Sequence, residues 1–341
     1  MSYLLILLIN GVLIGNNDDN NIINNKFNCF VNKYNKTYKT DSKEFYKRRD
    51  IFQDSLNHIN WLNNQRISDN SAVYGITRFS DLTPQEFQQI IQKHVNNQSP
   101  KRRILKTKKR SFISSKELKT FLKDVPQKVD YRQQNAVTKV INQGDCGACW
   151  ALSIVETIET MVALKTSSLR KYSVQQLIDC ANEDNKGCDG GDTCAALVWM
   201  AENNVRLQTA DKYPTTGTSG KCKQTETKHG IAISGNFTCD NFISNEPQMV
   251  RLLANHGPLV VAVDAKSWQH YLGGVIQYHC QRDLNHAVQI VGYDLTGDIP
   301  YYIIRNTWDT SFGIDGYLHI AIGNNLCGIA EEVSAFDVVI E

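Results

Sequence analysis

A chain of 341 residues is too long for one small domain and long enough for two or three compact units. Its 41% hydrophobic and 21% charged residues are the make-up of a soluble globular protein, and a net charge of +2 argues neither for nor against a polyanionic partner. Nothing in the sequence points to nucleic-acid binding.

Tyr3 to Ile14 is almost wholly apolar, broken by Asn10 and Gly11. It falls short of the roughly 20 residues that cross a bilayer and fits a signal-peptide core of about 7–15. The basic flank and small-residue cleavage site of such peptides are missing, so a buried strand or helix is the alternative. Residues 1–15 are therefore expected to be a signal peptide, and no other span is expected. Sequons at Asn35, Asn97 and Asn236 are compatible with export.

Residues 16 to 95 read as helical. Phe27, Phe30, Val31 and Tyr34 share one helix face; Phe45, Phe52, Leu56, Ile59 and Leu62 continue the pattern after a break near Thr40 to Ser42. Residues 101–110 (KRRILKTKKR) carry seven basic side chains, expected as an exposed connector. From about 125 a second unit begins. A buried helix is expected from Cys149 through Val162, a capped one after Ser173 with Gln176 closing the capping box, and a third over Thr193 to Glu202. Asn245 and Pro247 open a short helix that Gly257-Pro258 ends. Leu259–Val263, Ala287–Tyr293, Tyr301–Arg305 and Tyr317–Ile322 read as strands. A helical half followed by a β-rich half gives an α+β class with a cleft between the halves.

Ten cysteines, nine of them after residue 145, suit an oxidising compartment. The most informative stretch is QGDCGACW, Gln143 to Trp150. Gly144 and Gly147 are expected to let backbone approach substrate. Cys149 stands at a helix start, where the dipole and unpaired amides favour a thiolate. Such a nucleophile needs a base, and His286 in LNHAVQIVGY is the candidate; Asn306 in NTWDTSFG would orient its ring. The Gln143 amide and the Cys149 N–H would serve as oxyanion donors. A lone buried Cys or His is usually structural; their order and spacing together are what carry the reading. Cys146 and Cys149 form C-x-x-C, but no second pair with metal-site spacing follows, so no metal and no cofactor are expected.

These motifs, with GCDGG at Gly187 to Gly191, resemble those of papain-like cysteine peptidases across residues 126–341. Glu44, Arg48, Phe52, Ile59 and Asn63, then Gly75, Phe79 and Asp81, resemble the family's inhibitory prodomain, with Ser55 and Thr77 where Asn is usual. The resemblance implies a papain-like two-subdomain fold, a helical half plus a β-barrel-like half, preceded by a mostly helical prodomain. It divides the chain into a propeptide with basic connector (16–124) and a peptidase domain (125–341), with processing between Lys101 and Pro126. It implies disulfides Cys146–Cys188, Cys180–Cys222 and Cys280–Cys327; Cys194 and Cys239, in different halves, are expected as free thiols. Substrate would lie against Gly190, Gly191, Asp192, Thr193, Ala262, Leu284, Ala287, Trp308 and Glu332, the carboxylates of Asp192 and Glu332 facing one pocket. Two departures stand out: Asp309 replaces Gly, and Phe312 replaces a Trp shielding the His–Asn bond, which is expected to leave that bond wetter. The implied protein is a monomeric cysteine endopeptidase of the secretory route, lysosomal or secreted, made as a zymogen. Its partners are peptide substrates and its own propeptide, released as acid protonates docking carboxylates. A weak or inactive homologue acting as a binding protein, and a disulfide-rich structural protein, are the alternatives.

Overall fold

The computed structural model describes residues 21–91, 115–223 and 229–340. The apolar N-terminal stretch, Asn97 and the basic run 101–110 lie outside these residues. Helix α1 (residues 21–33) and helix α2 (Lys43–Asn64) cross where the sequence breaks. Ser42 ends the break by capping α2, its hydroxyl accepting from the Phe45 N–H at 3.1 Å. The apolar faces meet through Phe27, Phe30, Phe45 and Phe52, an aromatic cluster with neighbouring ring centroids as close as 4.9 Å.

The prodomain-like residues form one network. Arg48 donates to Glu44 at 2.6 Å, Glu86 at 2.7 Å and the Asp81 carbonyl at 3.0 Å. Asp81 is wholly buried and holds Lys36 at 2.9 Å and the Tyr38 hydroxyl. Asn63 pairs with the Tyr74 backbone in both directions, at 2.8 and 3.0 Å, and so fixes the short strand β1 (Val73–Tyr74) against α2. Ser55 is buried, and Thr77 donates to the Gln269 carbonyl at 2.6 Å. Helices α3 (Pro84–Ile91) and α4 (Ser115–Phe121) follow.

The second unit opens with β2 (Lys128–Asp130). Helix α5 (Cys149–Thr166) is buried on all sides from Cys149 to Ala163, its polar residues Ser153, Glu156, Thr157, Glu159 and Thr160 included. Helices α6 (Val174–Cys180) and α7 (Thr193–Glu202) pack around it; their bounds agree with the sequence pattern. Then come β3 (Ile231–Asp240), α8 (Glu246–Asn255), β4 (Leu259–Val263), β5 (Tyr271–Gly273), β6 (Val275–Ile276), β7 (His286–Asp294), β8 (Tyr301–Arg305), β9 (Tyr317–Ala321) and β10 (Val333–Ile340). The sheet runs β3-β10-β4-β7-β8-β9-β6, with β2 beside β7. Among the described residues it does not close, so the β half is an open sheet rather than a barrel. Strand β7 is buried along its whole length and faces α5, which brings Cys149 and His286 to one seam.

Three local expectations change. The Ser173 hydroxyl does cap α6, accepting from Gln176 N–H at 3.0 Å, but the Gln176 side chain holds the backbone of Arg206 and Gln208 instead of returning to Ser173. Asn245 makes no side-chain cap to α8; the Glu246 carboxylate instead turns inward to the Gly323 and Asn325 N–H groups, at 2.8 and 2.7 Å. The three disulfides implied by the resemblance are formed, but Cys194 and Cys239 make a fourth, with Cα atoms 5.9 Å apart. Strand β3 belongs to both halves: it pairs with β10 in the sheet, while Ile231 and Ile233 pack into the helical core beside α7. That position brings Cys239 to the first turn of α7. Cys29 and Cys149 stay free.

The N-terminal unit docks on the β half. Strand β1 pairs antiparallel with β5, and Phe79, Phe87, Leu118 and Leu122 join the same apolar core as Trp268, Tyr271, Trp308 and Phe312.

Candidate active site

Helix α5 starts at Cys149 with no side-chain cap from Ala148. Its first N–H groups are therefore left to the thiol: backbone N–H groups of Cys149, Trp150 and Ala287 all stabilise the ionised sulfur. Burial outweighs them and pushes the Cys149 thiol up in this closed form, against the depression expected from the helix start alone. The Cys146–Cys188 bridge and the Gly147 N–H to Cys188 carbonyl bond (2.7 Å) brace the approach to the helix. Gly144 has a φ of +60°, in the left-handed region, and open space surrounds it. The close approach occurs at Gly191, where a Cβ would run into the Trp150 ring.

His286 begins β7 and Asn306 follows β8, so the β7–β8 pairing sets both. Asn306 Oδ1 accepts from the Thr307 N–H at 2.8 Å. A backbone N–H can only donate, so this bond fixes which end of the amide faces His286. His286 Nε2, 2.8 Å from the same Oδ1, must then carry the proton. Nδ1 is left as the basic nitrogen, buried and without a hydrogen-bond partner. Burial lowers the His286 pKa to about 4, with the Asn306 bond acting in the opposite sense.

The shield over this pair is tight. Trp308 stacks on His286 with centroids 5.0 Å apart, and Trp268 meets the ring edge-on at 6.0 Å. Phe312, 3% exposed, packs edge-on against Trp308 at 5.0 Å, and Phe79 and Phe87 cover Trp308 from the N-terminal unit. Asn306 is fully buried, so the Phe312 departure does not wet the bond as expected. Asp309 takes φ +73°, which explains why glycine suits the position; its carboxylate accepts from Thr310 N–H and steadies the turn.

Gln143 is anchored on three sides: its N–H donates to the Thr307 carbonyl at 2.9 Å, its Oε1 accepts from the Thr307 hydroxyl at 2.5 Å, and its Nε2 donates to the Cys146 carbonyl at 3.1 Å. Thr307 thus orients both Asn306 and Gln143. Sequence reasoning missed it, although it directly follows Asn306 in the motif.

At the expected pocket, the Thr193 hydroxyl donates to Glu332 at 3.4 Å and Ala262 N–H to the Glu332 carbonyl at 3.1 Å. Ala287 is buried and Leu284 half-buried. Asp192 differs from the expectation, because its Oδ1 caps α7 by accepting from Ala195 N–H at 2.8 Å. Glu331 turns to Asn325 at 2.9 Å. Glu332 is the carboxylate joined to the Thr193 wall.

Residues 125–336 match the model described as papain family cysteine protease, and residues 27–87 that of the cathepsin propeptide inhibitor domain (I29). Cathepsin O of Homo sapiens is 42% identical over 84% of this chain and 87% of its own length; cathepsin O of Mus musculus is 38% identical over 83% and 88%. Among solved structures, digestive procathepsin L2 proteinase from Tenebrio molitor larval midgut superposes with a TM-score of 0.77 at 29% identity, covering 92% of this chain and 99% of that one. The recombinant stem bromelain precursor does so with 0.75 at 30%, covering 92% and 98%.

Proposed function

This chain belongs to the papain family of cysteine proteases and carries the family's inhibitory propeptide, and on that footing we propose that it is an endopeptidase working through Cys149, His286, Asn306 and Gln143. The carrying observation is the single bonding arrangement around Asn306, which leaves a lone pair on His286 Nδ1 beside the Cys149 seam. In the opened enzyme, water reaches the buried pair and the proton passes from Cys149 Sγ to Nδ1, giving an ion pair active at mildly acidic pH. The thiolate attacks the scissile carbonyl carbon. The oxyanion lies between the Cys149 N–H and the Gln143 amide, and Nδ1–H returns its proton to the departing amine. Water, deprotonated by Nδ1, then releases the acyl group and restores the thiol. The intact set of four argues against an inactive binding protein.

Residues 16–124 act as the propeptide and 125–341 as the peptidase, with cleavage between Lys101 and Pro126. A signal peptide at 1–15 directs a monomeric enzyme to the lysosome or out of the cell. Substrate lies along Gly190 and Gly191, with its second residue before the scissile bond held by Thr193, Ala262, Leu284 and Ala287 above Glu332.

With Asp192 engaged as a helix cap, Glu332 is the group that selects charge. Peptides with Arg or Lys at that position are expected to be cleaved several-fold faster than the Glu332→Ala variant cleaves them, a change of about 1 kcal/mol for a partly screened ion pair. Leu peptides are expected to change little. A fluorogenic peptide library run on acid-activated wild type and variant tests both levels. No hydrolysis of any member contradicts the peptidase reading; hydrolysis with unchanged selectivity contradicts only the role of Glu332.

A further inference from the structure

The seam between the propeptide and the β half carries three imidazoles. His58 lies on α2; His270 precedes β5 and His279 follows β6. The His58 and His270 rings are 6.0 Å apart, and Trp61 lies between the other two, 5.6 Å from His58 and 4.9 Å from His279. His270 is 3% exposed and is enclosed by propeptide atoms: its Nδ1 is 3.3 Å from the Ser80 hydroxyl, and its carbonyl accepts from Gly75 N–H at 2.8 Å. His279 has its Nε2 sealed from solvent without a partner. The groups facing these rings are Ser80 from the segment after α2, Trp61 on α2 itself, and Tyr278 on the peptidase side. No carboxylate weighs on any of the three.

Most of the rest of this seam is uncharged, the exception being Arg78, whose charge acts on Asp309 of the peptidase domain. Ala72 N–H donates to the Val275 carbonyl and Val275 N–H to Asn70, both at 2.9 Å. Gln269 Nε2 donates to the Phe79 and Leu82 carbonyls at 2.9 Å, and Tyr278 OH to the Gln65 carbonyl at 2.6 Å. Among the described residues, no ion pair joins residues 21–91 to the peptidase domain. Of the propeptide carboxylates, Asp81 pairs with Lys36 and Glu86 with Arg48 inside the propeptide, while Asp124, at its C-terminal end, pairs with Arg251 of the peptidase domain at 2.9 Å.

We propose that the buried His270, supported by the partly buried His279 and the exposed His58 beside it, is the pH sensor that opens this zymogen: its protonation places unpaired positive charge in a dry, carboxylate-free joint and unseats strand β1 from β5. This rests on the reading of the N-terminal unit as a docked inhibitor.

The sign follows from burial. Enclosure, with the neighbouring His58 charge, lowers the His270 pKa to about 3. A depressed imidazole favours the docked state when neutral, so its contribution is complete above about 6.5 and is lost as pH falls from there toward 3. Each pH unit below about 6.5 raises the opening constant about tenfold through this one site. Glu86 acts elsewhere and later. Burial raises its pKa, but the Arg48 bond and charge and the Thr83 N–H prevail and hold it near 2. Its contribution to propeptide stability is lost only below about 4.5.

The test uses the full-length chain carrying Cys149→Ala, read by hydrogen exchange at the Ala72, Gly75 and Val275 amides after correction for intrinsic rates. Protection is expected to fall about tenfold between pH 7.5 and 5.5, and His270→Gln is expected to remove that fall. Protection that holds until below pH 4.5, or an equal fall in His270→Gln, overturns the proposal. Should His270→Gln not dock at pH 7.5, the unsubstituted inactive chain decides through NMR titration of labelled histidine. His270 is expected to protonate together with the loss of protection; protonation near pH 6.5 with protection intact overturns the proposal. Neither readout involves catalysis, so failure here is separable from failure of the peptidase reading.

Discussion

Cys149→Ala is expected to lower kcat/KM for peptide hydrolysis by about 10⁴-fold or more while leaving the fold in place. On the proposed mechanism the thiol supplies the attacking atom, and no other described side chain stands both at an uncapped helix start and at the His286 seam. Its loss removes the covalent route, and the remaining oxyanion donors and binding contacts then act on water alone. The fold tolerates the change because Sγ makes no disulfide and Ala suits the first turn of α5. Since the variant cannot process itself, it should be matured by trace wild-type enzyme that is then removed. Thermal unfolding of the variant should stay within a few degrees of wild type. Substantial residual turnover at unchanged fold contradicts Cys149 as the nucleophile.

Gln143→Ala is expected to cost about 10²–10³ in kcat with a much smaller change in KM. Gln143 is held by the Thr307 hydroxyl at one end of its amide and by the Cys146 carbonyl at the other. One Nε2 hydrogen is used by Cys146, and the other is held in a fixed direction without reorganisation. A donor so placed stabilises charge that exists only in the transition state, which is why its removal acts on kcat. Steady-state kinetics on the activated variant separate the readings. A drop confined to KM, or one below about tenfold, assigns Gln143 to holding the loop.

Much of the fold can be read from local sequence. The 3.6-residue pattern of Phe45, Phe52, Ile59 and Leu62 implies α2, and Thr193 to Glu202 gives α7 to the residue. The order of Cys149, His286 and Asn306 implies a site that the β7–β8 pairing assembles. What was not legible depends on which groups meet in space. Cys194–Cys239 was missed because β3 looks like a strand of the β half, whereas half of it packs with α7. The Asp192 carboxylate was assigned to a pocket because its position suggests one, but Asp before a helix has a nearer partner in the first-turn amides. The protection of the His286–Asn306 bond was misjudged at Phe312, because the shield is Trp308 and Phe312 only supports it. The thiol pKa was expected to fall from helix-start chemistry, yet burial, which a sequence does not display, dominates it.

The most direct measurement is active-site labelling. The acid-activated chain is incubated with an epoxide thiol reagent, denatured, digested and mapped by mass spectrometry. One equivalent of label on Cys149, with activity lost in proportion and Cys29 absent from the mature chain, is the result expected of a papain-family nucleophile. Full inactivation with Cys149 unmodified would contradict it.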